Sequence, residues 1–334
     1  MRIAFYAPLK APGHGTPSGD RRVAALYVQA LQHAGHRVEL VSTLRSYDSE
    51  GNRELQAALR QQGLAMADEL TMRLQSPEAR PDAWLTYHVY YKAPDWLGPR
   101  VAQALGIPYV IAEASFAPKR AGGPWDAGHR ATEDAIRTAD LLLCPTRFDI
   151  ECLEPLVADP SRIMLLPPFL DTLPYETAAR DRSAHRAQLA AAHQLDTAVP
   201  WIAIAAMMRE GDKAASFLQL ADMLRRIRDL PWQLLVAGDG PARSEIARAL
   251  EAAAPGRTCL LGTLQAEEVA ALYAASDLCI WPAHNEAYGM AMLEAQAAAL
   301  PVVSCMHRGV PDVVIDQRTG HLAPSGDTAA LARL

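Results

Sequence analysis

The sequence carries little that would tie it to an oxidising compartment, a bilayer or a nucleic acid. Its five cysteines among 334 residues (Cys144, Cys152, Cys259, Cys279, Cys305) form no CxxC pair and no zinc spacing. Cys144, Cys279 and Cys305 sit inside apolar runs, the setting of a free buried thiol, which points to a reducing compartment. No apolar stretch approaches the about 18 residues that cross a membrane. The longest, VPWIAIAAMM at 199–208, is far too short. The N-terminal MRIAFYAPLK is a strand pattern without the apolar region of a signal peptide, so the chain reads as soluble and cytoplasmic. Lys and Arg number 32 against 38 Asp and Glu, a net charge of -6. That balance gives no polyelectrolyte signature for nucleic acid, and it leaves room for a local basic pocket.

Hydrophobic residues make up 50% of the chain, enough for sizeable cores, and the length favours two domains. Short β-type runs alternate with helical patterns. RIAFYAP (2–8), HRVELVST (36–43), AWLTYH (83–88), IPYVIAEA (107–114), ADLLLCPT (139–146) and RIMLLPP (162–168) form one series. After the proline-rich LPPFLDTLP and a charged, alanine-rich stretch, a second series follows. It comprises WIAIAAM (201–207), WQLLVAG (232–238), TCLLGT (258–263), DLCIWPA (277–283) and PVVSC (301–305). Strand–helix alternation predicts parallel sheets covered by helices on both faces. The expected fold class is α/β, with two Rossmann-like domains facing one another. Residues 1–170 form the first, 171–198 a linker with the first helix of the second, and 199–334 the second. In such sheets ligands bind beyond the carboxyl ends of the strands, so the strand-to-helix loops are the places to search.

The first of these loops, APLKAPGHGTPSGD (7–20), carries Gly13, Gly15 and Gly19 before a helix expected to open near Asp20. Glycines allow close backbone approach and a helix start presents unpaired N–H groups, so an anion such as phosphate is the natural guest. A plain flexible loop is the alternative. The spacing is not GxGxxG, and the second strand ends in Ser42-Thr43 without the acidic residue that holds an NAD ribose, which argues against a nicotinamide enzyme. In MMREGDK (207–213), Arg209 and Lys213 follow a strand and suit a diphosphate, although two basic loop residues also fit simple solvation. GDGP (238–241) reads as a turn that shapes the wall rather than a ligand contact. In NEAYGMAMLEAQAAALP (285–301), Glu286 lies in the loop and Glu294 inside a helix opening near Tyr288 or Gly289. The amides of Ala287, Tyr288, Gly289 and Met290 would be first-turn donors. Capping explains Glu286, but a charge on an Ala-, Met- and Leu-rich helix is costly without a partner. On these residues alone, function and structure balance. The basic stretch MLRRIRDLP (223–231) reads as a solvated helix face, with peripheral contact to a membrane-borne acceptor as the alternative.

Taken together, these stretches resemble the retaining GT-B glycosyltransferases of the family 4 type (glycosyl transferases group 1). The string GTLQAEEVAALYAASDLCIWPAHNEAYGMAMLEAQAAALPVVSCMHRGVPDVVIDQRTGHLAPSGD (262–327) carries an E-x7-E element, Glu286 to Glu294, and the glycine loop with HAGHRVELVST matches the family's start. The resemblance implies transfer of a sugar from a nucleotide diphosphate sugar, with UDP the first guess, to a hydroxyl acceptor. It implies that Arg209 and Lys213 neutralise the diphosphate and that Glu294 holds the ribose hydroxyls. Glu286 and the amides of Ala287 to Met290 would hold sugar and phosphate, and the backbone around Thr263 and Leu264 would flank the base. Gly19 would admit the N-terminal loop to the diphosphate or acceptor, and His88 would stand near the reacting carbon. No metal and no further cofactor is implied, because the two cations do that electrostatic work. A nucleotide-sugar epimerase or phosphorylase on the same architecture, or a non-catalytic carbohydrate-binding protein, are the rival readings. The sequence departs from the family in three ways. MMREGDK replaces the commoner G-R-L lead-in and has one residue fewer between Arg209 and Lys213. Glu113 takes the place of a second histidine, and the chain stops at TAALARL where relatives continue through helices that cross back to the first domain.

Overall fold

The computed structural model describes every residue except His14, Thr16 and Pro17, which belong to the glycine loop. The chain divides into two compact units, Met1–Pro167 and Pro168–Leu334, each built on a six-stranded parallel sheet.

The first unit runs β1 (Arg2–Tyr6), α1 (Gly19–His33), β2 (Arg37–Leu40), α2 (Arg53–Leu74), β3 (Ala83–Val89) and α3 (Gly98–Leu105). It continues with β4 (Tyr109–Ala114), α4 (Asp126–Thr138), β5 (Leu141–Cys144), α5 (Arg147–Leu153) and β6 (Ile163–Leu165). The second unit opens with two helices, α6 (Leu173–Arg180) and α7 (Arg182–His193), then β7 (Trp201–Ala205), α8 (Asp212–Arg226), β8 (Gln233–Ala237) and α9 (Arg243–Ala253). It ends with β9 (Thr258–Gly262), α10 (Ala266–Ala275), β10 (Leu278–Trp281), α11 (Met290–Ala297), β11 (Val302–Cys305), α12 (Val310–Val313), β12 (Gly320–Ala323) and α13 (Thr328–Arg333).

The central strands are apolar on both faces because helices cover both. Ile3 to Tyr6 and Trp201 to Ile204 are buried without alternation, as parallel strands between helical layers require. Helix α8 shows the complementary pattern. Ala214, Phe217, Leu220, Ala221 and Leu224 form one buried stripe, while Arg225 and Arg226 lie in its last turn. The stretch 171–198, expected as a linker with the first helix of the second domain, holds two helices, α6 and α7, within the second unit. Arg182 and Arg186 both pair with Asp277 at the start of β10 (2.5 and 2.9 Å), and the Arg186 guanidinium lies 4.1 Å from the Trp201 ring centroid.

Strand order is what locates the ligand-binding edge. In the first sheet the order is β2-β1-β3-β4-β5-β6, so the chain reverses its direction of travel between β1 and β3. In the second it is β12-β11-β10-β7-β8-β9, with the reversal between β7 and β10. The loops leaving neighbouring strands diverge at such a point and open a crevice at the carboxyl edge.

Candidate functional site

In the second unit, the loop after β7 carries Arg209, the first turn of α8 carries Lys213 and the loop after β10 carries Glu286, and these strands flank the reversal. The loop after β7 is held by its neighbour. Met208 N–H donates to Asp239 at 3.0 Å, and Ala242 N–H donates back to Met208 at 2.9 Å. The GDGP turn fits there only as glycine. A Cβ on Gly238 would come 1.9 Å from the Ala206 carbonyl oxygen, and one on Gly240 would come 2.4 Å from that of Met208. GDGP therefore braces the loop that presents Arg209.

Arg209 is exposed, its guanidinium donating to Met207 Sδ at 3.0 Å. Lys213, in the first turn of α8, turns toward β10. Its ammonium makes a close ion pair with Glu286 Oε2 and lies 5.4 Å from the Trp281 ring centroid. Trp281 Nε1–H donates to the same carboxylate oxygen at 3.2 Å, and Phe217 packs edge-on against the indole at 5.1 Å. Lys213, Glu286 and Trp281 thus form one charged cluster on an aromatic floor.

The Glu286 loop is held in costly backbone. Ala283 (φ 59°) and Asn285 (φ 53°) are left-handed without being glycine, which costs each about 1–3 kcal/mol. Three links to α8 and the turn sustain it: His284 N–H to Ser216 Oγ at 3.0 Å, Asn285 Nδ2 to Asp212 Oδ2 at 2.8 Å, and Glu286 N–H to Ala283 O at 3.1 Å. Gly289 (φ 83°) is the N-cap of α11 (Met290–Ala297), and no side chain caps that helix. Gly309 N–H bonds the Ala287 carbonyl at 2.9 Å and ties the next loop to this one.

Glu294 lies one turn into α11 and is only 6% exposed. Burial first, and the Glu294 charge second, push the Cys279 thiol up to about 12, so that cysteine stays an inert thiol. The carboxylate is therefore a core-lining group rather than a surface one. Thr263 and Leu264 follow β9: Thr263 is exposed and Leu264 packs against the core. Gly238 N–H reaches the Gly262 carbonyl at 2.7 Å, joining the end of β9 to the GDGP turn.

In the first unit, the structure gathers His88, Asp20 and Glu113 at the β1/β3 reversal. Gly19 is the first residue of α1, with open space where a Cβ would stand, and Ser18 caps the helix by accepting from Arg21 N–H at 3.3 Å. Asp20, next along, places Oδ1 3.3 Å from His88 Nδ1, and Glu113 Oε1 lies 3.5 Å from the same nitrogen. Both are ion pairs by distance, and neither is aligned as a hydrogen bond. Burial opposes charge on the His88 ring most strongly, yet the Glu113 and Asp20 carboxylates outweigh it, and its pKa is raised. Burial alone would raise the Asp20 carboxyl. The His88 ring overrides it and holds Asp20 below the usual carboxylate range.

The geometry adds residues the sequence did not single out: Trp281 as the floor under Lys213, the Asp212, Ser216, His284 and Asn285 latch, and Asp20. A tryptophan closing a strand and an aspartate opening a helix are too common to be signals. A cavity of about 650 Å³ lies elsewhere in the first unit, between α2 and residues 122–127, lined by Arg53, Arg60, Pro124 and Asp126 among others. None of the expected site residues lines it. Among the described residues, no group of three or more His, Cys, Asp or Glu is placed to hold a metal, and no helix is long and apolar enough to cross a membrane.

Residues 200–334 match the family model described as Glycosyl transferases group 1. A D-inositol 3-phosphate glycosyltransferase of Salinispora arenicola (strain CNS-205) is 31% identical over 265 residues, covering 74% of this chain and 59% of its own length. The protein of that name from Xylanimonas cellulosilytica is 27% identical over 369 residues, covering 99% of this chain and 86% of its own length. The chain thus spans a little over half the length of the Salinispora relatives, 55% and 59%. Among solved structures, sucrose-phosphate synthase from Thermosynechococcus elongatus superposes with a TM-score of 0.70 at 19% identity, covering 99% of this chain and 88% of that one. Anabaena Alr3699/HepE in complex with UDP and glucose gives 0.66 at 16% identity, with coverage of 99% and 88%. At these identities the likeness is one of fold.

Proposed function

Because the chain belongs to the group 1 glycosyl transferases and has their GT-B fold, we propose that it transfers a sugar from a nucleotide diphosphate sugar to a hydroxyl acceptor with retention of configuration. The observation that carries this reading is the cluster of Lys213 and Glu286 on Trp281 at the β7/β10 reversal, with Arg209 exposed on the loop that leads into α8. Two cations and an uncapped helix start suit a diphosphate, and the Glu286 carboxylate suits sugar hydroxyls.

In this reading Arg209 and Lys213 neutralise the diphosphate, and the amides of Ala287 to Met290 hold the phosphate nearer the sugar. Glu286 fixes the sugar, Glu294 the ribose, and the backbone at Thr263 and Leu264 flanks the base. Gly19 admits the N-terminal loop to the diphosphate or acceptor, and His88 serves the reacting carbon. The bond from the anomeric carbon to the phosphate oxygen breaks as the acceptor oxygen bonds that carbon from the same face, and the acceptor proton passes to the departing phosphate. Stabilising the charge that develops on the leaving diphosphate is the protein's main chemical contribution, and Arg209 and Lys213 supply it without a divalent metal.

UDP is the first nucleotide to test, since the HepE structure holds it, and an inositol phosphate is the first acceptor, from the name of the relatives. A thermal-shift screen of UDP-, GDP- and ADP-sugars tests the reading, because a ligand that binds the folded chain stabilises it in proportion to affinity. Stabilisation by one nucleotide sugar, followed by acceptor-dependent transfer, is the expected result. Stabilisation by free sugars alone would instead favour a carbohydrate-binding protein.

A further inference from the structure

His88 and Glu113 share an unusual backbone. Both are left-handed, each with φ 62°, although neither is glycine. They stand side by side: the register pairs Tyr87 with Ala112 and Val89 with Ala114, which leaves His88 opposite Glu113 across β3 and β4. Adjacent strands thus carry a matched kink at the carboxyl edge, where a parallel sheet meets its ligand. Such conformations persist only where the surroundings impose them. The Glu113 side chain is 14% exposed and that of His88 17%, so a carboxylate and an imidazole are held together out of water. Packing alone gains nothing from burying a carboxylate there.

The groups facing the ring are consistent in sign. Asp20 approaches from α1 and Glu113 from β4, and the Asp149 charge of α5 reaches it as well. The Tyr87 and Tyr90 rings flank it at 5.7 and 5.1 Å between centroids. The Lys10 charge acts on the Asp20 carboxyl and helps to lower its pKa. With two carboxylates on Nδ1, the opposite nitrogen is the one left to address a substrate.

We propose that Glu113 is a positioning residue for His88: with Asp20 it faces Nδ1 and favours the charged ring, so that His88 meets the substrate as a hydrogen-bond donor and not as a base. The substrate contact rests on the sugar-transfer reading. A cationic donor suits a sugar hydroxyl or a phosphate oxygen gaining charge, whereas a general base would need the neutral ring.

The test follows the His88 imidazole by NMR across pH in the full chain, in the parent, Glu113→Gln, Glu113→Asp and Asp20→Asn, with sugar transfer measured over the same range. In the parent the ring is expected to titrate above the ordinary value of about 6.5. Glu113→Gln moves the midpoint down, Glu113→Asp keeps it raised, and the alkaline limb of transfer moves with it. A Glu113→Gln variant with midpoint and limb unmoved overturns the proposal, as does a parent ring that titrates at or below the ordinary value. If Glu113→Gln does not fold, Asp20→Asn gives the same comparison from the other carboxylate. Absence of any transfer by the parent overturns the sugar-transfer reading, and with it the substrate contact. That failure is recognised separately, because the titration is read without substrate.

Discussion

Lys213 and Glu286 hold each other in the free protein, and this makes the two residues separable by experiment. If Lys213 serves the diphosphate, it must leave Glu286 as the ligand arrives. Lys213 is 34% exposed and Glu286 17%, so solvent screens the pair and its net worth is about 1 kcal/mol. A Lys213→Met variant loses a charge-assisted bond to phosphate worth about 1.5–3 kcal/mol, a loss of roughly 10- to 150-fold in nucleoside diphosphate affinity. Glu286→Gln acts in the opposite direction on that ligand. It frees Lys213, and nucleoside diphosphate should bind about fivefold tighter, a gain of about 1 kcal/mol. The same variant should lose the extra affinity that the sugar brings. Calorimetric titration of both variants with UDP and UDP-glucose, GDP and GDP-mannose, and ADP and ADP-glucose measures each term. Glu286→Gln weakening the nucleoside diphosphate as much as Lys213→Met would refute the exchange, since the carboxylate would then be serving the phosphate site rather than competing for it.

Further outcomes follow from geometry away from the chemistry. Ala299, just past the C-cap of α11, is left-handed (φ 58°) and exposed, so Ala299→Gly should stabilise the chain by about 1 kcal/mol, a rise of roughly 2–4 °C in melting temperature. Buried Asp95 accepts from Leu97 and Gly98 N–H, the Thr86 hydroxyl and the Tyr109 phenol, so Asp95→Ala should cost at least about 3 kcal/mol in urea unfolding. The His88 ion pairs carry a pH signature. A raised imidazole pKa contributes stability in full below about pH 6.5 and loses it as pH rises through the folded value. Glu113→Gln should therefore destabilise the chain more near pH 6 than near pH 9, read from urea midpoints at about those pH values.

Much of the fold was legible because parallel strands write themselves as short apolar runs. Each of the eleven expected runs coincides with a strand to within a few residues at its ends: HRVELVST pairs only through Leu40, whereas β3 continues one residue past AWLTYH to Val89. The twelfth, β12 (Gly320–Ala323), escaped notice. It is a four-residue strand at the end of the sheet order, opening with glycine and an exposed histidine, too short for its periodicity to register. The end of α11 was equally hidden, because an alanine rather than a glycine takes the left-handed position after it. The candidate site divides the same way. Arg209, Lys213 and Glu286 were found from residue type and place after a strand. Trp281 beneath them, the Asp212–Asn285 latch and the paired kink at His88 and Glu113 depend on backbone angles and long-range contacts that no local pattern encodes. Glu294 raised a question in the sequence, as a charge on an apolar helix. The structure sharpens that question by burying it.

The most direct measurement is the affinity of the full chain for the nucleotide sugar that stabilises it best, set beside that of Glu294→Ala by calorimetric titration. Binding by the parent and a loss of about tenfold or more in the variant, the worth of one hydrogen bond to a charged group, is expected if Glu294 holds the ribose at the edge of the second sheet. Equal affinity in the two proteins, or no nucleotide sugar bound by the parent, would contradict a donor site built between Arg209 and Glu294.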